Sequence, residues 1–113
     1  MLLANPELLE GFSSDYFPDG VYERPDGELW AVELEISRKV KKQYREKLNR
    51  YVRYIRGNQN SKSSIKKVHF LVAKDAILKV LQEETKIFPE YFLIQSLSEF
   101  LAQNATQSKK ENT

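Results

Sequence analysis

The stretch Leu29–Ser37 alternates without a fault: Trp30, Val32, Leu34 and Ile36 fall on one side, Ala31, Glu33, Glu35 and Ser37 on the other. A two-residue period belongs to an extended strand. The period then changes abruptly. Across Arg38–Arg56, the residues Val40, Tyr44, Leu48, Tyr51 and Ile55 recur at spacings of four, four, three and four, which is one apolar stripe of an α-helix. Lys42, Arg45, Asn49, Arg53 and Arg56 lie around the rest of that wheel. The long stripe needs a sheet face to cover, so the chain must build at least one layer of helix on sheet.

The flanking segments fill in the order. Arg24-Pro25-Asp26-Gly27-Glu28 carries the proline, aspartate and glycine of a tight turn. Before it, Tyr16–Glu23 reads as a strand with Pro18 at its start, so strand, turn and strand make a hairpin. After the helix, Gly57 ends it and Asn58–Ser64 is a polar connection. Lys67–Ala73 is a β-branched apolar run of the kind found in inner strands. Asp75 is the expected cap of a second helix with Ile77, Leu78 and Leu81 as its stripe. Tyr91–Leu97 is a further strand, and Ser98–Gln103 one more helical turn. The expectation is an α/β sandwich of order β-β-α-β-α-β, with a central mixed sheet flanked by helices. Residues 1–15 form an N-terminal arm with a short helix over Pro6–Glu10, residues 16–103 one domain, and residues 104–113 a polar tail.

Charge is unevenly spread. Residues 1–37 hold nine acids and one base, residues 38–67 twelve bases and one acid, and residues 68–113 five bases and six acids. The segment charges are therefore −8, +11 and −1, which agree with the net +2. An acidic front beside a basic middle suits a site that handles cations and phosphates together. Cysteine is absent and His69 is the single histidine, which excludes a disulfide scaffold and disfavours a zinc site or a serine–histidine triad. No apolar run approaches the ~20 residues of a membrane helix, and no charged-then-apolar leader opens the chain. A cytoplasmic protein with no membrane partner is expected. His69, within Val68–Val72, reads as a packed strand histidine, and Trp30, Tyr44, Tyr51 and Phe70 read as core; Tyr54 is the aromatic expected to be exposed.

Chemistry concentrates on Pro18-Asp19-Gly20 and Glu33-Leu34-Glu35. Glu33 and Glu35 leave one strand face about 6.6–7 Å apart. Asp19 lies seven residues before Asp26 and Glu33 seven after it, so hairpin pairing sets Asp19 opposite Glu33 or within one residue of it. Converging carboxylates repel unless a cation neutralises them. Oxygen-only ligands favour Mg²⁺ or Mn²⁺, and a phosphodiester is the natural substrate of such a site. The helix that follows bears seven lysines or arginines from Arg38 to Arg50, suited to phosphate. The bland alternatives are a solvated strand face for the two glutamates and a solvated surface for the basic helix.

This pattern resembles the PD-(D/E)XK nuclease superfamily, in which Pro-Asp opens one strand and acid-x-lysine lies on the next. Asp19 matches the metal-binding aspartate and Glu33 the second acid, while Glu35 stands in the lysine's place. Some branches carry the lysine on the following helix, where Lys47 stands at the edge of the stripe. The run Glu33-Leu-Glu35-Ile-Ser37 with Lys47-Leu-x-x-Tyr51 looks most like the nuclease-like part of plasmid replication-relaxation and mobilisation proteins. The resemblance implies a restriction-endonuclease-like fold and a Mg²⁺- or Mn²⁺-dependent DNA endonuclease or nickase. Asp19 and Glu33 would hold the metal, Glu35 would be third ligand or base, and Lys47 would stabilise the transition state. Lys42, Arg45, Arg50 and Arg53 would grip double-stranded DNA. Two alternatives stay open: a non-catalytic nuclease-fold module for DNA binding or assembly in plasmid replication or mobilisation, and a protein-interaction domain without nucleic acid. A homodimer is a further expectation, from an open sheet edge and a small core.

Overall fold

In the computed structural model, residues 2–4 and 18–111 are described, with side chains from 18 to 104. The elements are β1 (Leu2–Ala4), β2 (Gly20–Glu23), β3 (Leu29–Glu35), α1 (Lys41–Gly57), β4 (Ile65–Val72), α2 (Asp75–Thr85), β5 (Phe92–Ser96) and α3 (Leu97–Glu111). The helix expected over Pro6–Glu10, and the first residues of the strand expected from Tyr16, lie outside the described residues. From β2 to β5 the β-β-α-β-α-β order holds. The five strands form one mixed sheet in sequence order: β1, β2 and β3 are antiparallel, while β3, β4 and β5 are parallel. β1 was not foreseen. It occupies the outer edge of β2, pairing Leu3 with Tyr22, and so satisfies backbone groups that the hairpin would leave open.

The hairpin closes through a three-residue loop, Pro25-Asp26-Gly27. Gly27 donates its N–H to the Arg24 carbonyl at 2.8 Å, and Arg24 donates to the Glu28 carbonyl at 2.8 Å. Asp26 Oδ1 accepts the Glu28 N–H at 2.9 Å. Gly27 has φ +87°, the left-handed position that ends this loop type and that only glycine takes without strain.

α1 and α2 cover one face of the sheet and α3 the other. The first face holds the main core, in which Val21, Ala31, Val68, Phe70, Val72 and Phe92 meet Tyr44, Leu48, Tyr51, Val52 and Ile55 of α1 and Ile77 and Leu81 of α2. Val40 is not part of the expected stripe. It precedes α1 as its N-cap, 65% exposed, and Val52 takes the buried place instead. Valine has no side-chain acceptor, and the free end is capped from within by Gln43, whose Oε1 accepts the Val40 N–H at 3.2 Å. Asp75 sits in the first turn of α2, not at its cap, which is Lys74. Its charge still complements the helix dipole there.

On the second face, α3 packs on β4 and β5. The Phe100 ring lies edge-on to His69, centroids 5.5 Å apart. His69 is buried, as expected, and both ring nitrogens are bonded: Nδ1 to the Tyr22 hydroxyl at 3.3 Å and Nε2 to Gln95 Oε1 at 2.9 Å. Gln95 Nε2 in turn donates to Gln103 Oε1 of α3 at 2.9 Å. α3 runs through Glu111, so the backbone of most of the expected polar tail is helical. No helix among the described residues is long and apolar enough to cross a membrane.

Candidate functional site

The alternating face of β3 that carries the charges is the one that α1 covers. Ala31, Glu33 and Glu35 point into the main core, and Glu33 and Glu35 are only 5% and 0% exposed. The apolar alternates Leu34 and Ile36 lie 42% and 57% exposed. The simplest assignment of alternation, apolar inward, is thus reversed at this strand. Two ionised carboxylates in a dry core carry a cost of several kcal/mol each unless paired, and the pairing is complete.

Lys47, two turns into α1, supplies the first cation. Its Nζ lies 3.2 Å from Glu33 Oε2 and 2.9 Å from Glu35 Oε1. The sequence places it at the edge of the apolar stripe, and a long flexible stem lets the ammonium reach inward from there. Lys39, in the short connection before α1, supplies the second, at 2.5 Å from Glu35 Oε2. Tyr51, one turn beyond Lys47, donates its hydroxyl to Glu33 Oε1. All four carboxylate oxygens therefore have a protein donor. The neutralising charge that converging acids require comes here from two lysines.

Asp19 completes the group from the hairpin. The last β2–β3 pair is Gly20 with Val32, so one step further Asp19 faces Glu33, as the turn arithmetic expects. It is exposed, and its Oδ2 accepts the Leu34 N–H at 2.7 Å. The structure thus brings Asp19, Glu33, Glu35 and Lys47 together at the C-terminal end of the parallel strands, the end where open α/β sheets place their sites.

The electrostatics follow from burial. Burial raises the Glu33 pKa; Lys47 and the Tyr51 hydroxyl oppose this, and the nearby Asp19 charge adds to it. Burial alone would lower Lys47, but Glu33 and Glu35 outweigh it and hold the ammonium above its usual range. Burial, then Glu33, pushes the Tyr51 phenol far up, so its hydroxyl keeps the proton that it donates to Glu33.

Among the described residues, no three Asp, Glu, His or Cys side chains are placed to hold a metal ion. The expected three-ligand set does not assemble, because both oxygens of Glu35 face lysines. What remains is Asp19 opposite Glu33. Both oxygens of Glu33 also have protein donors, Lys47 and Tyr51, so Asp19 is the carboxylate left to offer a Mg²⁺ or Mn²⁺ ion a hard oxygen, with water and phosphate oxygens as the usual remainder of such a shell.

The expected phosphate grip is only partly laid out. Lys42 and Arg53 are exposed on α1 and Arg50 is half-buried. Arg45 is instead engaged with Glu84 of α2, at 2.9 Å from Nε and 3.1 Å from Nη2, a bidentate tie between the two helices. Tyr54 is not an exposed ring: it is half-buried against the core, and its hydroxyl accepts the Ile65 N–H at 3.4 Å. Trp30 is half-buried on the second face, under the guanidinium of Arg24 at 4.5 Å and the ammonium of Lys67 at 5.3 Å. One contributor, Lys39, was not foreseen from the sequence. It had no periodic signal, since it lies between strand and helix. Tyr51 lies in the core, as expected, and its hydroxyl, four residues after Lys47 on one helix face as in the run Lys47-Leu-x-x-Tyr51, also serves Glu33. Comparison of the chain with family models, curated proteins and solved structures found no match.

Proposed function

We propose that this chain is a PD-(D/E)XK-type domain that hydrolyses DNA phosphodiesters with Mg²⁺ or Mn²⁺, in the setting of plasmid or other mobile-element DNA. One observation carries the reading: a helix lysine, Lys47, reaches two buried strand acids while Asp19 faces the first of them across a hairpin. Asp19 and Glu33 would hold the metal, which when bound activates a water and offsets charge on the phosphoryl oxygens. Lys47 keeps its proton and would offset the negative charge that builds up on the phosphate. Glu35, held between two ammoniums, positions Lys47 and Lys39. Lys42, Arg50 and Arg53 would track the backbone of double-stranded DNA, and a homodimer would serve a two-strand cut.

The test is incubation of supercoiled DNA with wild type and Asp19→Ala, with Mn²⁺ and with chelator. Asp19 is exposed and its carboxylate accepts the Leu34 N–H, so a matching thermal melt checks that the variant keeps the fold. Nicking that needs Mn²⁺ and disappears in the variant supports the reading; equal background in both overturns catalysis at this site.

The saturation of all four Glu33 and Glu35 oxygens by protein donors favours a second reading, a non-catalytic nuclease fold used for DNA binding or assembly. It predicts salt-dependent DNA binding that survives Asp19→Ala and fails when Lys42, Arg50 and Arg53 are neutralised. A chain that binds no DNA at ~50 mM salt would be a protein-interaction domain instead.

A further inference from the structure

Next to the acid–lysine cluster in the chain, the end of β3 and the residues leading into α1 carry a second set of exposed side chains. Leu34, Ile36 and Val40 are 42%, 57% and 65% exposed, three large aliphatic side chains within seven residues. Single exposed hydrophobics are ordinary, but a local concentration marks a binding surface. Cations adjoin them in the chain: Arg38, Lys39, Lys41 and Lys42 lie in the same stretch, and no acid occurs between Glu35 and Glu46. Arg38, Lys41 and Lys42 are exposed. The complement of such a shelf is a polyanion that also offers apolar area.

We infer that this shelf binds DNA whose bases are unstacked, at a gap or branch, next to the phosphodiester handled by the Asp19–Glu33–Lys47 cluster. The inference rests on the nucleic-acid reading of that cluster. Leu34 joins the two places directly, since its N–H bonds Asp19 while alternation turns its side chain to the opposite face from Glu33 and Glu35. Cations would hold the phosphates as the strand crosses the end of β3. In intact duplex the flat base surfaces are covered by their neighbours, and aliphatic side chains reach them only where stacking is broken. At a gap those surfaces are open, and Leu34, Ile36 and Val40 would cover them. The occupant is thus set by the combination of a phosphate-binding rim with an aliphatic centre.

The experiment uses the full chain with chelator present, so that binding is read without cutting. Fluorescence anisotropy compares an intact duplex with the same duplex bearing a short single-stranded gap, and 2-aminopurine in the gap reports base environment. Wild type should prefer the gapped DNA by about tenfold, which is about 1.4 kcal/mol, with a change in 2-aminopurine emission. Ile36→Ser/Val40→Ser should lose the preference and keep its affinity for intact duplex; both side chains are exposed, and a matching thermal melt checks the fold. Equal wild-type binding to both DNAs, or a preference retained by the double variant, overturns the inference and leaves the nuclease reading standing. Failure to bind either DNA at ~50 mM salt overturns both. Binding to vesicles containing phosphatidylserine, without preference for gapped DNA, would assign the shelf to a lipid surface and overturn it as well.

Discussion

Lys47 is the residue on which the site turns. It is the partner shared by two buried carboxylates, and its side chain is itself only 20% exposed. Removing one member of a buried ion pair leaves uncompensated charge in the core. Lys47→Met is therefore expected to lower unfolding free energy by about 3 kcal/mol, read as a shifted midpoint in urea denaturation. Lys39 and Tyr51 still serve the two glutamates in that variant, which keeps the loss at the low end for a buried pair. Tyr51→Phe should cost about 1–2 kcal/mol, because one oxygen of buried Glu33 then lacks its donor. The same change removes a contribution that lowers the Glu33 pKa, so that carboxyl should titrate at still higher pH in carbon-detected NMR. A wholly solvated pair of glutamates would show neither effect.

At the scale of elements, the hairpin sets the geometry that the site needs. The opposition of Asp19 and Glu33 depends on the loop Pro25-Asp26-Gly27 holding its length and its left-handed glycine. Gly27→Ala meets no atom within 4 Å, so its penalty is conformational alone. About 1 kcal/mol of lost stability is expected, measured by thermal or urea unfolding. The turn arithmetic was legible from the sequence because hairpin register is a local property of loop length. The α1–α2 contact was not legible. Arg45 and Glu84 are 39 positions apart, and the bidentate tie between them arises only when both crossover helices land on one sheet face. A guanidinium so engaged is less available to phosphate, so Glu84→Ala is expected to strengthen DNA binding at low salt, checked by anisotropy.

For the whole molecule, two buried groups pull stability in opposite directions with pH. His69 links β2, β4, β5 and α3, and burial lowers its pKa below the ordinary 6.5. Its neutral form is the one the fold accepts, so the unfolded chain binds more protons below 6.5. Its contribution is fully present above that pH and is lost as pH falls through it. The flanking charges Arg24 on the hairpin and Glu99 on α3 line the same groove, and Arg24 adds to the lowering. Glu33 has a raised pKa, so its neutral form is favoured; that contribution is present below 4.5 and is lost as pH rises through the folded value. Unfolding midpoints between about pH 7 and pH 5.5 should therefore fall with acid in wild type, and less steeply in His69→Gln.

Local periodicity and turn chemistry determined much of this protein from sequence alone. Alternation over Leu29–Ser37, the stripe of Tyr44, Leu48, Tyr51 and Ile55, and the Pro25–Gly27 turn are short-range patterns, and they specify element type, order and hairpin register. They also brought Asp19 to Glu33. Which face of β3 is covered was not a local matter. The helices crossing from β3 to β4 and from β4 to β5 cover the side bearing Glu33 and Glu35, and Leu34 and Ile36 are left outward. Only tertiary packing could decide that reversal, because it depends on whether distant groups arrive to neutralise the buried acids. Lys39, Lys47 and Tyr51 do so, and they turn a charge pattern that called for a cation into a cluster whose cations are already part of the chain.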